Sequence, residues 1–177
     1  VEQILRSSSE EFEQRKLNYT ICNVRDIVEE VRTTLNLKYQ EREVMWNIDI
    51  PHAIEIRADR LHIASAISAL ADNAIKYCLN RPHITITATT INSTTTISIS
   101  DNGVGIPNSE HRRIFEKFYR ISQGNRHDTK GFGLGLYYVK SIIELHHGSI
   151  SLHSKVGKGS TFEITLPAYG KTTNINS

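Results

Sequence analysis

The chain has 177 residues, 38% of them apolar, and its 21 Lys plus Arg against 19 Asp plus Glu leave a formal net charge of only +2. That length suits one domain with a short appendage, the apolar share excludes a disordered polymer, and the small charge with no Lys/Arg-rich run argues against a nucleic-acid partner. Cys22 and Cys78 lack metal-ligand spacing or a disulfide framework and read as small buried residues of a reducing compartment, while the longest nearly apolar stretch, 63–71, is far shorter than the ~20 residues of a membrane span.

Residues 1–14 form an amphipathic helix pattern. Val1, Leu5, Ser8 and Phe12 mimic coiled-coil spacing over less than two heptads, so a cap on the domain fits equally well. LNYTIC (17–22) reads as a short strand, and Asn23 as the cap of a helix to about Leu37 with Ile27, Val28, Val31 and Leu35 inward. Strands are expected over 44–50 and 53–56 around Pro51, then a second helix over 59–79. On a helical wheel its buried stripe is Ile63, Ile67, Leu70, Ala74 and Tyr77. HITITATT and TTTISISD alternate polar and apolar residues on either side of Asn92 and Ser93, a hairpin signature. Residues 107–130 are polar and irregular, a helix follows over 133–147 until Gly148, and GSISLHS and STFEITLP close the fold before a loose tail. Helices and strands in blocks predict an α+β domain, a two-layer sandwich with the helices on one face of a mixed sheet. The chain opens on Val1 without a signal peptide and reads as part of a longer protein.

Within this frame Asp101 is unusual. Period-two alternation puts it on the face of Ile97 and Ile99, toward the core, where a carboxylate is costly unless something hydrogen-bonds to it. Gly103 and Gly105 follow it. Gly131, Gly133 and Gly135 open a helix as GFGLGL, and Gly157 and Gly159 precede Ser160 and Thr161. Such glycines let backbone approach a ligand, and N–H groups at a helix start favour a phosphate. Asn73 and Lys76 flank the buried stripe of the second helix, an amide oxygen suited to magnesium and an ammonium suited to phosphate, although such a pair also fits a solvated flank. GFGLGL is spaced G-x-G-x-G, so it is not a Rossmann fingerprint, and no P-loop is present.

Taken in order, DNAIKY, DNGVGIP, IFEKFYR, GFGLGL and GKGSTF resemble the ATP-binding catalytic domain of sensor histidine kinases, in the GHKL superfamily of gyrase-like ATPases. The likeness runs from about Val24 to Pro167 and implies a Bergerat-type fold over 17–168. Residues 1–16 resemble the end of the helix of a dimerisation and phosphotransfer domain, and 169–177 are expected to be a flexible tail. The resemblance assigns Asp101 to the exocyclic amine of adenine, Asn73 to magnesium and Lys76 to the phosphates. Tyr77 would pack by the adenine, with Gly103, Gly105 and Ile106 forming the pocket wall and Thr161 near the base. Gly131, Gly133 and Gly135, with Leu134 and Leu136 beside them, would hinge a lid over 107–130 and meet the phosphates. Phe115 and Phe118 would anchor that lid, and Arg120 would contact phosphate.

The resemblance has one departure. The family's other Asn, one helical turn before Asn73, is Ala69 here, and gyrase-type relatives place their hydrolytic glutamate there. The missing general base argues against an ATP-hydrolysing machine. Of the eight histidines only His127 precedes an acid, and it lies in the lid. His146 and His147 end a helix and read as structural or solvent-facing, so no acceptor histidine is expected in this chain. The expected function is transfer of the γ-phosphoryl group of ATP, with Mg2+, to a histidine on a separate dimerisation domain. The resemblance further implies a response regulator downstream, a homodimeric parent anchored in the membrane, and a cytoplasmic location for this part, which is expected to be monomeric alone. A non-catalytic nucleotide-binding regulatory module, favoured by Ala69, and a gyrase- or chaperone-like ATPase are the alternatives.

Overall fold

The computed structural model describes residues 17–121 and 133–169. Strand β1 (Thr20–Asn23) ends where Asn23 Oδ1 accepts the Asp26 N–H at 3.2 Å, capping helix α1 (Val24–Lys38). The expected stripe of Ile27, Val28, Val31 and Leu35 is buried. After β2 (Met45–Asp49) and β3 (Glu55–Ala58), Asp59 caps α2 (Arg60–Lys76) by accepting the His62 N–H at 3.3 Å. Helix α2 stops three residues short of expectation: the Tyr77 carbonyl, which would continue the helix, accepts instead the Val104 N–H at 3.1 Å.

Strands β4 (His83–Ile91) and β5 (Thr94–Asp101) form the expected hairpin. Asn92 and Ser93 both take positive φ (48° and 62°), the two-residue turn whose twist matches the strands. Helix α3 (Gly135–Leu145), β6 (Ser149–Lys155) and β7 (Gly159–Pro167) complete the order. Helix α3 begins two residues later than expected, because Gly133 sits at φ +70°. At its other end the left-handed residue is His147, not Gly148. A Cβ on Gly148 would lie 2.2 Å from the Thr165 carbonyl oxygen, so close approach of helix and sheet is what requires the glycine there.

The main sheet runs β2–β4–β5–β7–β6, with β2 parallel to β4 and every other pair antiparallel. Ile86, Ile99 and Phe162 stand side by side across three strands, as do Ala88, Ile97 and Ile164. These residues form one buried face packed with the apolar stripes of α1, α2 and α3, while Thr87, Ser98 and Glu163 on the other face stay partly exposed. The two-layer α+β sandwich is the expected one. A feature without a sequence signal is a separate antiparallel ribbon of β1 and β3, to which Ala168 adds a bridge at Ile56.

Helices α2 and α3 are pinned together by His146, 3% exposed. Its Nδ1–H donates to the Ile142 carbonyl at 2.8 Å, which fixes the tautomer and leaves Nε2 to accept the Asp59 N–H. Residues 107–121 carry two 3-10 turns (Asn108–Glu110 and Arg113–Phe115) and bury Ile114. The helix over 1–14, the segment 122–130 with His127, Gly131 and most of the tail lie outside the described residues. No described helix is long and apolar enough to cross a membrane.

Candidate functional site

The site is built around the last residue of β5. Asp101 continues the core face of Ile97 and Ile99 but stays partly accessible. Its Oδ1 accepts the Gly103 N–H at 2.7 Å and the Ser160 N–H at 3.2 Å. Burial pushes its pKa up and those two N–H groups pull against it. Oδ2 accepts nothing among the described residues, and it is not sealed off: no described side-chain N or O atom is both buried and unpartnered. One oxygen is therefore fixed and the other presented to a ligand. The turn is shaped for this. A Cβ on Gly103 would fall 2.8 Å from Asp101 Oδ1, one on Gly105 2.1 Å from the Lys155 carbonyl oxygen, and one on Gly159 1.9 Å from the Asp101 carbonyl oxygen.

The C-terminal end of α2 abuts that turn through the bond from Val104 N–H to the Tyr77 carbonyl. Asn73 is half-buried with no side-chain partner among the described residues, so its amide oxygen is available as a hard metal ligand. Lys76 is exposed and its ammonium sits 2.5 Å from Asp72 Oδ2. Asp72 Oδ1 also takes Lys38 Nζ at 2.6 Å and the Tyr39 hydroxyl at 2.8 Å. Those partners hold the Asp72 carboxyl below the usual range in spite of its burial. Tyr77 does not belong to the buried stripe. It is 38% exposed, because the helix has already ended and the wheel no longer applies. Its carbonyl meets the Asp101 turn, and its exposed ring is open to a planar ligand.

Around the far wall, Ile106 packs partly against the core and its N–H donates to Ser154 Oγ at 2.8 Å. Phe115 anchors its segment by an edge-on contact with Phe162 at 6.4 Å between ring centres. Phe118 is not part of the core among the described residues: it is 47% exposed at φ +64°, with its N–H on the Gly133 carbonyl at 3.1 Å. The anchors that the sequence reading missed are Ile114 and Tyr119, apolar neighbours on either side of Phe115. Arg120 is exposed. Leu134 and Leu136 are partly buried and flank Gly135, and α3 opens with no capping side chain, leaving first-turn N–H groups for an anion.

Thr161 is off the site. It pairs with Ser100, and its hydroxyl lies 2.9 Å from Ser100 Oγ, on the face opposite Asp101. Its neighbour Ser160, 7% exposed, shares the face of Phe162 and Asp101 and bonds Asp101 through its N–H. The signal that finds Ser160 is strand parity counted back from the apolar Phe162, Ile164 and Leu166.

The stretch of sequence that carries these residues matches a known family. Residues 58–170 match the histidine kinase-, DNA gyrase B- and HSP90-like ATPases, and the chain belongs to that family. Its relatives are sensor kinases. It is 36% identical over 171 residues to the sensor protein RprX of Bacteroides fragilis, covering 94% of this chain and 33% of that protein. It is 35% identical to the adaptive-response sensory kinase SasA of Synechocystis, covering 96% and 44%. The nucleotide-free catalytic domain of histidine kinase ThkA superposes with a TM-score of 0.74 at 25% identity, covering 85% of this chain and 96% of that one. The chain thus spans less than half the length of these two sensor proteins.

Proposed function

We propose that this chain is the ATP-binding catalytic domain of a two-component sensor histidine kinase. It transfers the γ-phosphoryl group of ATP to a histidine on the dimerisation domain of its parent, and a response regulator receives the group next. The observation that carries this reading is Asp101. With Oδ1 fixed by two backbone N–H groups and Oδ2 open, it offers an acceptor-only group that suits the 6-amino group of adenine and disfavours the 6-keto group of guanine. Tyr77, exposed and bonded to the Asp101 turn through its carbonyl, would stack on the base.

The remaining residues fit a magnesium nucleotide. Asn73 supplies one neutral oxygen, leaving the other ligand positions to phosphate and water, which is the habit of magnesium; bound there, the ion would neutralise phosphate charge. Lys76 and the uncapped start of α3 would meet the phosphates. In the transfer the bond from the γ-phosphorus to the β–γ bridging oxygen breaks, a phosphorus–nitrogen bond to the imidazole forms, and ADP leaves. This chain holds the nucleotide in line for that exchange, a matter of positioning and charge. Ala69 leaves no side chain to activate water, which favours the kinase reading over a hydrolytic ATPase. By the same reading the parent is a homodimer with this domain in the cytoplasm.

The test is phosphotransfer. Incubated with γ-labelled Mg-ATP, the chain alone should acquire no label. Given the parent's dimerisation domain, it should label the acceptor histidine in trans, slowly, because separate chains lose the effective concentration of a tether. Stable acid-labile label on the chain alone, or tight ATP binding with no transfer in the complete parent, would overturn the reading.

A further inference from the structure

Lys76 is held by a partner on its own helix. Its Nζ sits 2.5 Å from Asp72 Oδ2, and Asp72 is only 13% exposed at its side chain. On a helix of 3.6 residues per turn, Asp72 lies about 40° further around from Asn73 than Lys76 does. The ion pair therefore draws the ammonium away from the side of the helix that carries Asn73. The other oxygen of Asp72 is held separately from α1, by Lys38 Nζ at 2.6 Å and the Tyr39 hydroxyl at 2.8 Å.

We propose that Asp72 is a positioning residue that competes with the phosphates of the nucleotide for Lys76, so that binding hands the ammonium from a carboxylate to a phosphate oxygen. The proposal rests on the ATP-site reading above. The hand-over leaves no buried charge unpaired, because Lys38 and Tyr39 keep Asp72 satisfied after Lys76 departs. It also sets affinity: every phosphate contact by Lys76 is made at the expense of the pair with Asp72. Adenosine, which lacks phosphates, is blind to the exchange.

Calorimetry with Mg-ATP and with adenosine tests this. Asp72→Asn keeps the shape and an acceptor for Tyr39 but weakens the hold on Lys76. It should tighten Mg-ATP about two- to fivefold, the scale of one partly exposed ion pair, and leave adenosine unchanged. In a Lys76→Met background the same substitution should be silent. A gain that persists without Lys76 would mark a mere field effect and overturn the proposal, as would weaker ATP binding or an equal change for adenosine. A structure of the unaltered chain with magnesium and a non-hydrolysable ATP analogue tests it without a variant. Lys76 Nζ should lie on a phosphate oxygen with Lys38 and Tyr39 still on Asp72, and Lys76 remaining on Asp72 would overturn it. Failure of the unaltered chain to bind ATP at all would overturn the ATP-site reading and this proposal together, whereas binding without a selective shift overturns this proposal alone.

Discussion

Nε2 of His146 accepts the backbone N–H of Asp59 at 3.0 Å across 87 residues of chain, joining the end of α3 to the first turn of α2. The bond needs a neutral imidazole. Burial lowers the pKa of His146 below its ordinary 6.5, with the Ile142 carbonyl and the Asp59 carboxylate opposing and His62 and His147 reinforcing the shift.

Stability should therefore fall on acidification. In the unfolded chain His146 takes up a proton near its ordinary pKa, whereas the folded chain resists until a lower pH, so the folded state loses ground below about pH 6.5. The loss approaches about 1.4 kcal/mol per pH unit for one such proton. Melting temperatures from pH 8 to pH 5.5 check it. His146→Gln, which keeps an acceptor for Asp59 but cannot titrate, should flatten the profile, and an equal slope in both proteins would refute the assignment.

Gly103→Ala and Gly135→Ala should part company. The first drives a methyl to 2.8 Å from Asp101 Oδ1 and 3.1 Å from the Tyr77 carbonyl oxygen, while the second meets nothing within 4 Å among the described residues at the start of α3. Gly103→Ala should cost ATP binding about 1–3 kcal/mol by displacing a hydrogen-bonded carboxylate. Gly135→Ala should leave the melting point unchanged or raise it, by up to about 1 kcal/mol of helix propensity. Calorimetry and thermal melts read the two effects separately.

Asp101→Asn replaces an acceptor-only group with one that also donates. Affinity for Mg-ATP should drop by about 1–3 kcal/mol and the preference over Mg-GTP should narrow. Asn73→Ala should instead leave the base preference intact and remove the dependence of ATP affinity on magnesium. Titrations with each nucleotide, with magnesium and with a chelator, distinguish a base contact from a metal contact.

Thr161→Val should cost about 0.5–1.5 kcal/mol of stability through the lost Ser100 bond and leave ATP affinity untouched, since that hydroxyl is on the outer face of the sheet. A drop in ATP affinity with normal stability would return Thr161 to the pocket.

Local signals were legible in the sequence, and long-range ones were not. Asn23 and Asp59 announce their helices because a cap is read three residues away. Asp101 stood out because strand parity placed a charge on an apolar face. Motif likeness points to Thr161, whereas parity along the same strand points to Ser160. Tyr77 was assigned by extending a helical wheel past the helix, whose end is set by a bond to Val104, 27 positions along the chain. Asp72 gave no signal at all, because Lys38 and Tyr39 reach it from another helix, 34 and 33 residues away. The β1–β3 ribbon is equally non-local.

That ribbon has a mechanical consequence. Strand β3 is paired with β1 along one edge and touched by Ala168 on the other, so the incoming and outgoing chain meet on a single four-residue strand. Pulling on Thr20 and Ala168 would load the two edges of β3 first. Asp101 closes the opposite end of a ladder that starts at the Thr94–Pro167 pair, about 23 Å away along β5. Tension between those two residues would fall on β3, which carries no part of the candidate site, and on the bond from the Ala168 N–H to the Ser93 carbonyl at the hairpin turn, before it reached Asp101.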